Sequence, residues 1–229
     1  QLAERIDLAI DAFRIEVDDR ITVSESLQSP DLVALVQDLP GGRGVRSVSF
    51  FTNAVDTRTE GIEVTLDWSG ELAGGHLGID VAYTWAETEI RNVQAPSATL
   101  TAIDPDLQLI ESGARNVLTD ASPEHNAVAS ASWENSGWQL LARSRFFGSV
   151  VRDRGFARQR FGEETLFDLA VTRTLMQQLD LTLGADNLFD ATSDDSSDSL
   201  DFGGNFAFDV LSPAGADGRF LYGRVRWRF

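Results

Sequence analysis

Eight stretches of this 229-residue chain alternate apolar and polar side chains one by one, and every second connection between them is short. Strict alternation means strands with two unlike faces. The first stretch, about 4–24, has Ile6, Leu8 and Ile10 in one parity and Phe13, Ile15, Val17, Ile21 and Val23 in the other, so a bulge, or a stretch with both faces covered, is expected near Ala12. The next two, about 46–69 and 75–92, carry Ile62, Val64, Leu66 and Trp68, then Leu77, Ile79, Val81, Tyr83 and Trp85. Further stretches are read at about 124–134, 137–152, 162–174, 177–187 and 218–229. The connections run long (25–45), short (69–74), long (93–123), short (135–137), medium (153–161), short (175–177) and long (188–217). A soluble meander has no reason to keep every second connection short. A barrel crossing an outer membrane does, with short periplasmic turns and long outer loops. The expected fold is therefore all-β, a transmembrane antiparallel β-barrel, with neighbouring strands paired in chain order.

The last strand fits that reading. Leu221, Val225, Trp227 and Phe229 share one face with Gly223, while Arg224, Arg226 and Arg228 share the other. Lipid on one side and a polar lumen on the other would sort them so. With Phe229 at the periplasmic end, Trp68, Trp133, Trp138 and Trp227 fall at periplasmic strand ends, and Trp85 falls toward the outer end of its strand. Tryptophan favours the headgroup level, where its ring is buried and its N–H stays wet, so these five are expected to form a membrane-interface girdle.

Composition narrows the function. The net charge of −17 argues against nucleic acid as a partner. The chain has no Cys, hence no disulfide framework and no thiolate chemistry. All 19 basic residues are Arg, a side chain suited to holding carboxylates and phosphates bidentately. No apolar run is long enough for a transmembrane helix, which does not bear on a barrel. The chain starts at Gln1 and its only Met is Met176, so it is expected to be a mature end after cleavage or a piece of something longer.

Several segments carry a family likeness. The run Phe50-Phe51-Thr52-Asn53-Ala54-Val55-Asp56-Thr57-Arg58-Thr59-Glu60-Gly61-Ile62-Glu63-Val64 resembles a strand of TonB-dependent outer-membrane receptors, in which a Thr-x-Gly-apolar-acid pattern recurs. Residues 12–21, the Asn187-Leu188-Phe189-Asp190 segment, Ser212-Pro213 and the stretch from Gly218 to Phe229 are similar to the family in the same order. The resemblance implies that residues 1–229 are the C-terminal segment of the barrel domain, the last eight strands of a 22-stranded barrel. The N-terminal plug and the TonB box lie outside these residues. It further implies active transport across the outer membrane of a Gram-negative bacterium, energised through the TonB complex. The substrate would be scarce and large, a ferric siderophore first, or haem, cobalamin or a glycan. Outer-membrane lipid, lipopolysaccharide and the barrel assembly machinery are the other implied partners, with Gly223, Val225, Trp227 and Phe229 resembling the assembly signal. The alternative is a free-standing eight-stranded barrel with a structural or adhesive role.

Six of the 19 arginines lie between 143 and 160. Arg152, Arg154, Arg158 and Arg160 are expected to form an anion site at the mouth, for a small-molecule substrate such as an anionic metal chelate. Lumenal pairing with Asp and Glu, or contact with lipopolysaccharide phosphates, would use the same residues. The acidic run from Asp194 to Asp201 could ligate Ca²⁺ but lacks EF-hand spacing, and a solvated mobile loop accounts for it more simply. His76 and His125 have no triad spacing around them, and the glycines at 41–44 lack the Lys-Ser/Thr of a phosphate loop. No catalytic constellation, metal site or cofactor is expected.

Overall fold

A computed structural model describes residues 5–24, 26–201, 204, 207–209 and 211–229. The elements in chain order are β1 (Arg5–Val23), α1 (Pro30–Gln37), β2 (Phe51–Leu72), β3 (Gly75–Val93), α2 (Ala98–Ile103), α3 (Ser112–Thr119), β4 (His125–Asn135), β5 (Trp138–Phe147), β6 (Val150–Asp153), β7 (Arg158–Phe161), β8 (Glu164–Leu175), β9 (Leu179–Asp186), α4 (Asp198–Asp201) and β10 (Phe220–Trp227). Eight strands form one antiparallel sheet in the order β1-β2-β3-β4-β5-β8-β9-β10, and β6 pairs only with β7. Chain-order pairing is as the sequence predicts. Among the described residues β1 and β10 each pair on one side only, so the sheet is an open wall and not the closed eight-stranded barrel of the alternative reading.

The short connections are hairpin turns, all at one end. Ala73-Gly74 and Ser136-Gly137 have positive φ at both central residues, which matches the right-handed strand twist. The third, Met176 to Gln178, joins β8 to β9. The three short helices α1, α2 and α3 and the single turn α4 all lie in the long connections at the other end.

The register shows what each face meets. Directly opposed residues share a face, and one row after another on one side is apolar: Ile6 with Trp68, Leu8 with Leu66, Ile10 with Val64, then Val81, Ala129 and so on to Leu181 with Val225. These side chains are exposed, Ile10 at 64%, Leu183 at 74% and Val225 at 71%. An apolar face that wide, left uncovered, belongs against lipid. Leu179, Leu181 and Leu183 oppose Trp227, Val225 and Gly223, while Arg224 and Arg226 oppose Thr182 and Asp180 on the other face.

Two strand expectations need correction. The parity switch near Ala12 is not a bulge. β1 keeps its register with β2 from Arg5 to Val17, and the irregularities come later, around Arg20. What changes is the solvent: above the Ala12–Ile62 pair the outward residues become Arg14, Glu16, Arg58 and Glu60, tied by Arg14–Glu60 at 2.9 Å and Arg58–Glu16 at 2.8 Å. The wall leaves the lipid there, and the strands continue as a charged blade. The other correction concerns 137–152. The strand stops at Phe147, and after Gly148-Ser149 the chain enters a separate hairpin, β6–β7.

Gly61, the glycine of the Thr-x-Gly pattern, has a steric reason. A Cβ there would lie 2.4 Å from the Phe13 ring and 2.6 Å from the Trp85 carbonyl oxygen. The ring could move; the backbone of β3 could not without losing a ladder bond. Gly61→Val should therefore cost about 1–3 kcal/mol by overpacking, read as a lower denaturation midpoint of the refolded receptor. A wild-type midpoint would show that Phe13 does not pack on Gly61.

Candidate ligand-binding site at the barrel mouth

Among the described residues the long connections fold into a cap with two small cores. Ala54, Val55, Leu109 and Ile110 form one, with Phe50, Ile90 and Leu118 packed against them. Val150, Phe161 and Leu200 form the other, with Ala157 beside them. The β6–β7 hairpin lies in this cap. Its register pairs Val150 with Phe161, which is why those two apolar residues meet at its base.

Two side-chain amides pin the hairpin. Buried Asn116 of α3 donates to the Val151 carbonyl at 2.7 Å and accepts from the Asp153 N–H at 2.9 Å. Gln159 of β7 donates to the Asp195 carbonyl at 2.9 Å and accepts from the Ser197 N–H at 2.7 Å. Each amide replaces a missing neighbouring strand by offering one donor and one acceptor. Asn116→Ala leaves two part-buried backbone groups unmet, at about 1–3 kcal/mol. The expected result is faster amide exchange at Asp153 in the assembled receptor; unchanged exchange would mean that Asn116 does not pin the hairpin.

The arginine cluster divides. Arg143 and Arg145 are lumenal and both bind buried Asp168, at 2.8 and 3.1 Å, which also accepts from the Asn187 N–H at 2.9 Å. Arg152 lies 3.6 Å from Asp209, both nearly buried, so its charge is matched within the cap. Arg154 and Arg152 line a groove of about 370 Å³ between α3 and the hairpin tip, with Val117 and exposed Phe156. Arg158 and Arg160 share the opposite hairpin face; Arg158 is exposed, and Arg160 donates to the Ser149 hydroxyl at 2.7 Å. The four mouth arginines are thus brought into one hairpin but onto two faces. Asn116, Gln159, Asp168 and Asp209, which organise it, carry no sequence signal, because each acts on a partner 19 to 57 residues away.

Other singled-out residues have plain settings. Trp68, Trp133, Trp138 and Trp227 are on the outward face near the hairpin-turn end. Trp133 donates to the Leu72 carbonyl at 2.9 Å, and the Arg173 guanidinium sits 4.9 Å over the Trp138 ring. Trp85 opposes Ile62 and His125 at the top of the apolar face. His125 Nδ1 lies 2.8 Å from the Tyr83 hydroxyl. The acidic run is anchored, contrary to a freely mobile loop: the Asp194 carboxylate accepts from the Gly162 N–H at 2.7 Å, and Leu200 is buried. Among the described residues no three acidic or histidine side chains are grouped to hold a metal. On the blade above the lipid, the Asp19 N–H and the Asn92 amide hold the Asp56 carboxyl below the usual carboxylate range.

Residues 2–188 match the family described as TonB dependent receptor-like, beta-barrel. No curated protein matches the sequence. Among solved structures, 97% of the chain superposes on 25% of the FpvA chain of P. aeruginosa, in a complex with a heterologous ferric pyoverdine, with a TM-score of 0.56 and 15% identity. The copper transporter OprC is similar over 98% of this chain and 29% of its own, with a TM-score of 0.56 and 18% identity. The E. coli outer-membrane transporter YddB is similar over 100% of this chain and 31% of its own, with a TM-score of 0.60 and 9% identity. The chain therefore spans a quarter to a third of the length of each.

Proposed function

We propose that this chain, which belongs to the TonB-dependent receptor-like β-barrel family, supplies the C-terminal wall and part of the mouth of an active-transport receptor in the Gram-negative outer membrane. The receptor takes up a scarce, large substrate and is energised through the TonB complex. A ferric siderophore is the substrate of first choice, with haem, cobalamin and a glycan as the others. Family membership supports transport; the basic hairpin β6–β7 is the observation that carries an anionic ligand. Arg158 and Arg160 present charge on its outer side, and Arg154 and Phe156 together line the groove beside it. Such a pairing suits an anionic chelate with aromatic groups. The structural neighbours FpvA, described with ferric pyoverdine, and OprC, described as a copper transporter, support metal cargo. The five tryptophans serve as the interface girdle, and the outward aromatic end of β10 as the assembly signal.

Growth of a deletion strain on ferric siderophores, haem, cobalamin and glycans identifies the cargo. The receptor carrying Arg158→Gln and Arg160→Gln should bind that cargo about tenfold more weakly per lost charge-assisted contact. Unchanged affinity would remove the hairpin from the binding site while leaving transport in place.

A further inference from the structure

One hollow among the described residues is not at the mouth. It lies on the lumenal wall toward the hairpin-turn end and has a volume of about 510 Å³, within the size range of small-ligand sites. One register row forms its floor: Gln139 opposes Thr172, which opposes Thr182, which opposes Arg224. One row above, Leu141, Ala170 and Tyr222 line the hollow, and the Tyr222 ring packs onto Gly184, where no side chain stands in its way.

The polar groups of the floor are mutually satisfied. The Thr172 and Thr182 hydroxyls bond each other at 2.8 Å, and Gln139 donates to Glu134 at 3.3 Å. Asp180 accepts from Thr174 at 2.8 Å and from Arg228 at 2.6 Å. Arg226 opposes Asp180 in register, yet among the described residues neither Arg226 nor Arg224 forms a salt bridge. Their outward neighbours Val225 and Trp227 face lipid, so both guanidinium groups face the lumen. Two residues apart on one strand face, their Cα atoms are about 7 Å apart, so two carboxylates of one polyacid or of neighbouring acidic side chains can reach both.

We propose that this hollow is a carboxylate-binding site of the lumen, in which Arg224 and Arg226 each hold one member of a carboxylate pair. The assignment rests on the barrel topology and not on the identity of the transported substrate. The carboxylates come either from acidic side chains elsewhere in the receptor's own polypeptide or from a polycarboxylate solute.

The full-length receptor carrying Arg224→Lys is treated with a water-soluble carbodiimide, which joins an amine to a carboxylate in direct contact, and the products are mapped by peptide mass spectrometry. Arg226→Lys is run in parallel, and heat-modifiability confirms that each variant is assembled. Coupling to an Asp or Glu other than Asp180 and Glu134 supports the site and assigns it to the receptor's own chain. A citrate adduct, formed when citrate is the added probe, supports the site and assigns it to a solute. In the second case Arg226→Gln should weaken citrate binding about tenfold. Coupling confined to Asp180 and Glu134 in both variants overturns the proposal, as does no coupling while Arg158→Lys on the exposed hairpin reacts with added citrate.

Discussion

Expressed by itself with an export signal, the 229-residue wall should yield no heat-modifiable monomer in the outer membrane, whereas the same residues within a full-length receptor should. The cause is its two edges. Among the described residues β1 and β10 each turn one row of backbone N–H and C=O groups away from any strand partner. Within the lipid-facing stretch, Ile6 to Ala12 on β1 and Leu221 to Trp227 on β10, water cannot meet those groups. Each unmet group in hydrocarbon costs several kcal/mol, so the two edges together cost on the order of tens of kcal/mol. That exceeds the stability of an ordinary domain. The alternative escape, closure of β1 onto β10, would bring Phe13, which packs over Gly61 on the inner face, into a far narrower lumen. A folded, heat-modifiable monomer of these residues alone would favour the free-standing barrel and remove the receptor wall as the reading of the sheet.

The second large effect is on assembly. Trp227 ends β10 on the lipid side, the Arg228 N–H still donates to the Gln178 carbonyl at 2.8 Å, and the Phe229 side chain is fully exposed beyond that last pair. Deleting Phe229 removes at most one apolar anchor, about 2 kcal/mol of burial against lipid, which a complete barrel can lose without unfolding. Its loss should therefore act on the rate of insertion. The full-length receptor without Phe229 should fall several-fold in outer-membrane abundance, yet bind its ligand with wild-type affinity per assembled molecule. Phe229→Trp, which keeps an aromatic side chain at that position, should restore abundance. Normal abundance combined with lost affinity would place Phe229 in a binding site and contradict the orientation of the wall.

The sequence by itself determined the wall. Alternation has a period of two, and each short turn fixes the register of the two strands it joins, so faces and neighbours follow from local order. Ile62 to Trp68 against Trp85 to Ile79 is legible from the residues alone, as is the sorting of Val225 and Trp227 from Arg224 and Arg226. Two misreadings have one origin. Alternation reports contrast between faces and cannot say which solvent a face meets, so the exit from lipid at Ala12 reads like a bulge. It also cannot distinguish a strand that continues from one that turns at Gly148 into a new hairpin. The tertiary structure alone decided the mouth. Asn116 on Val151 and Asp153, Gln159 on Asp195 and Ser197, and Arg152 on Asp209 join segments that no periodic pattern relates. Their pairings depend on loop closure in three dimensions. Which arginines are held by carboxylates, and which stay open to a ligand, follows from where those loops come to rest.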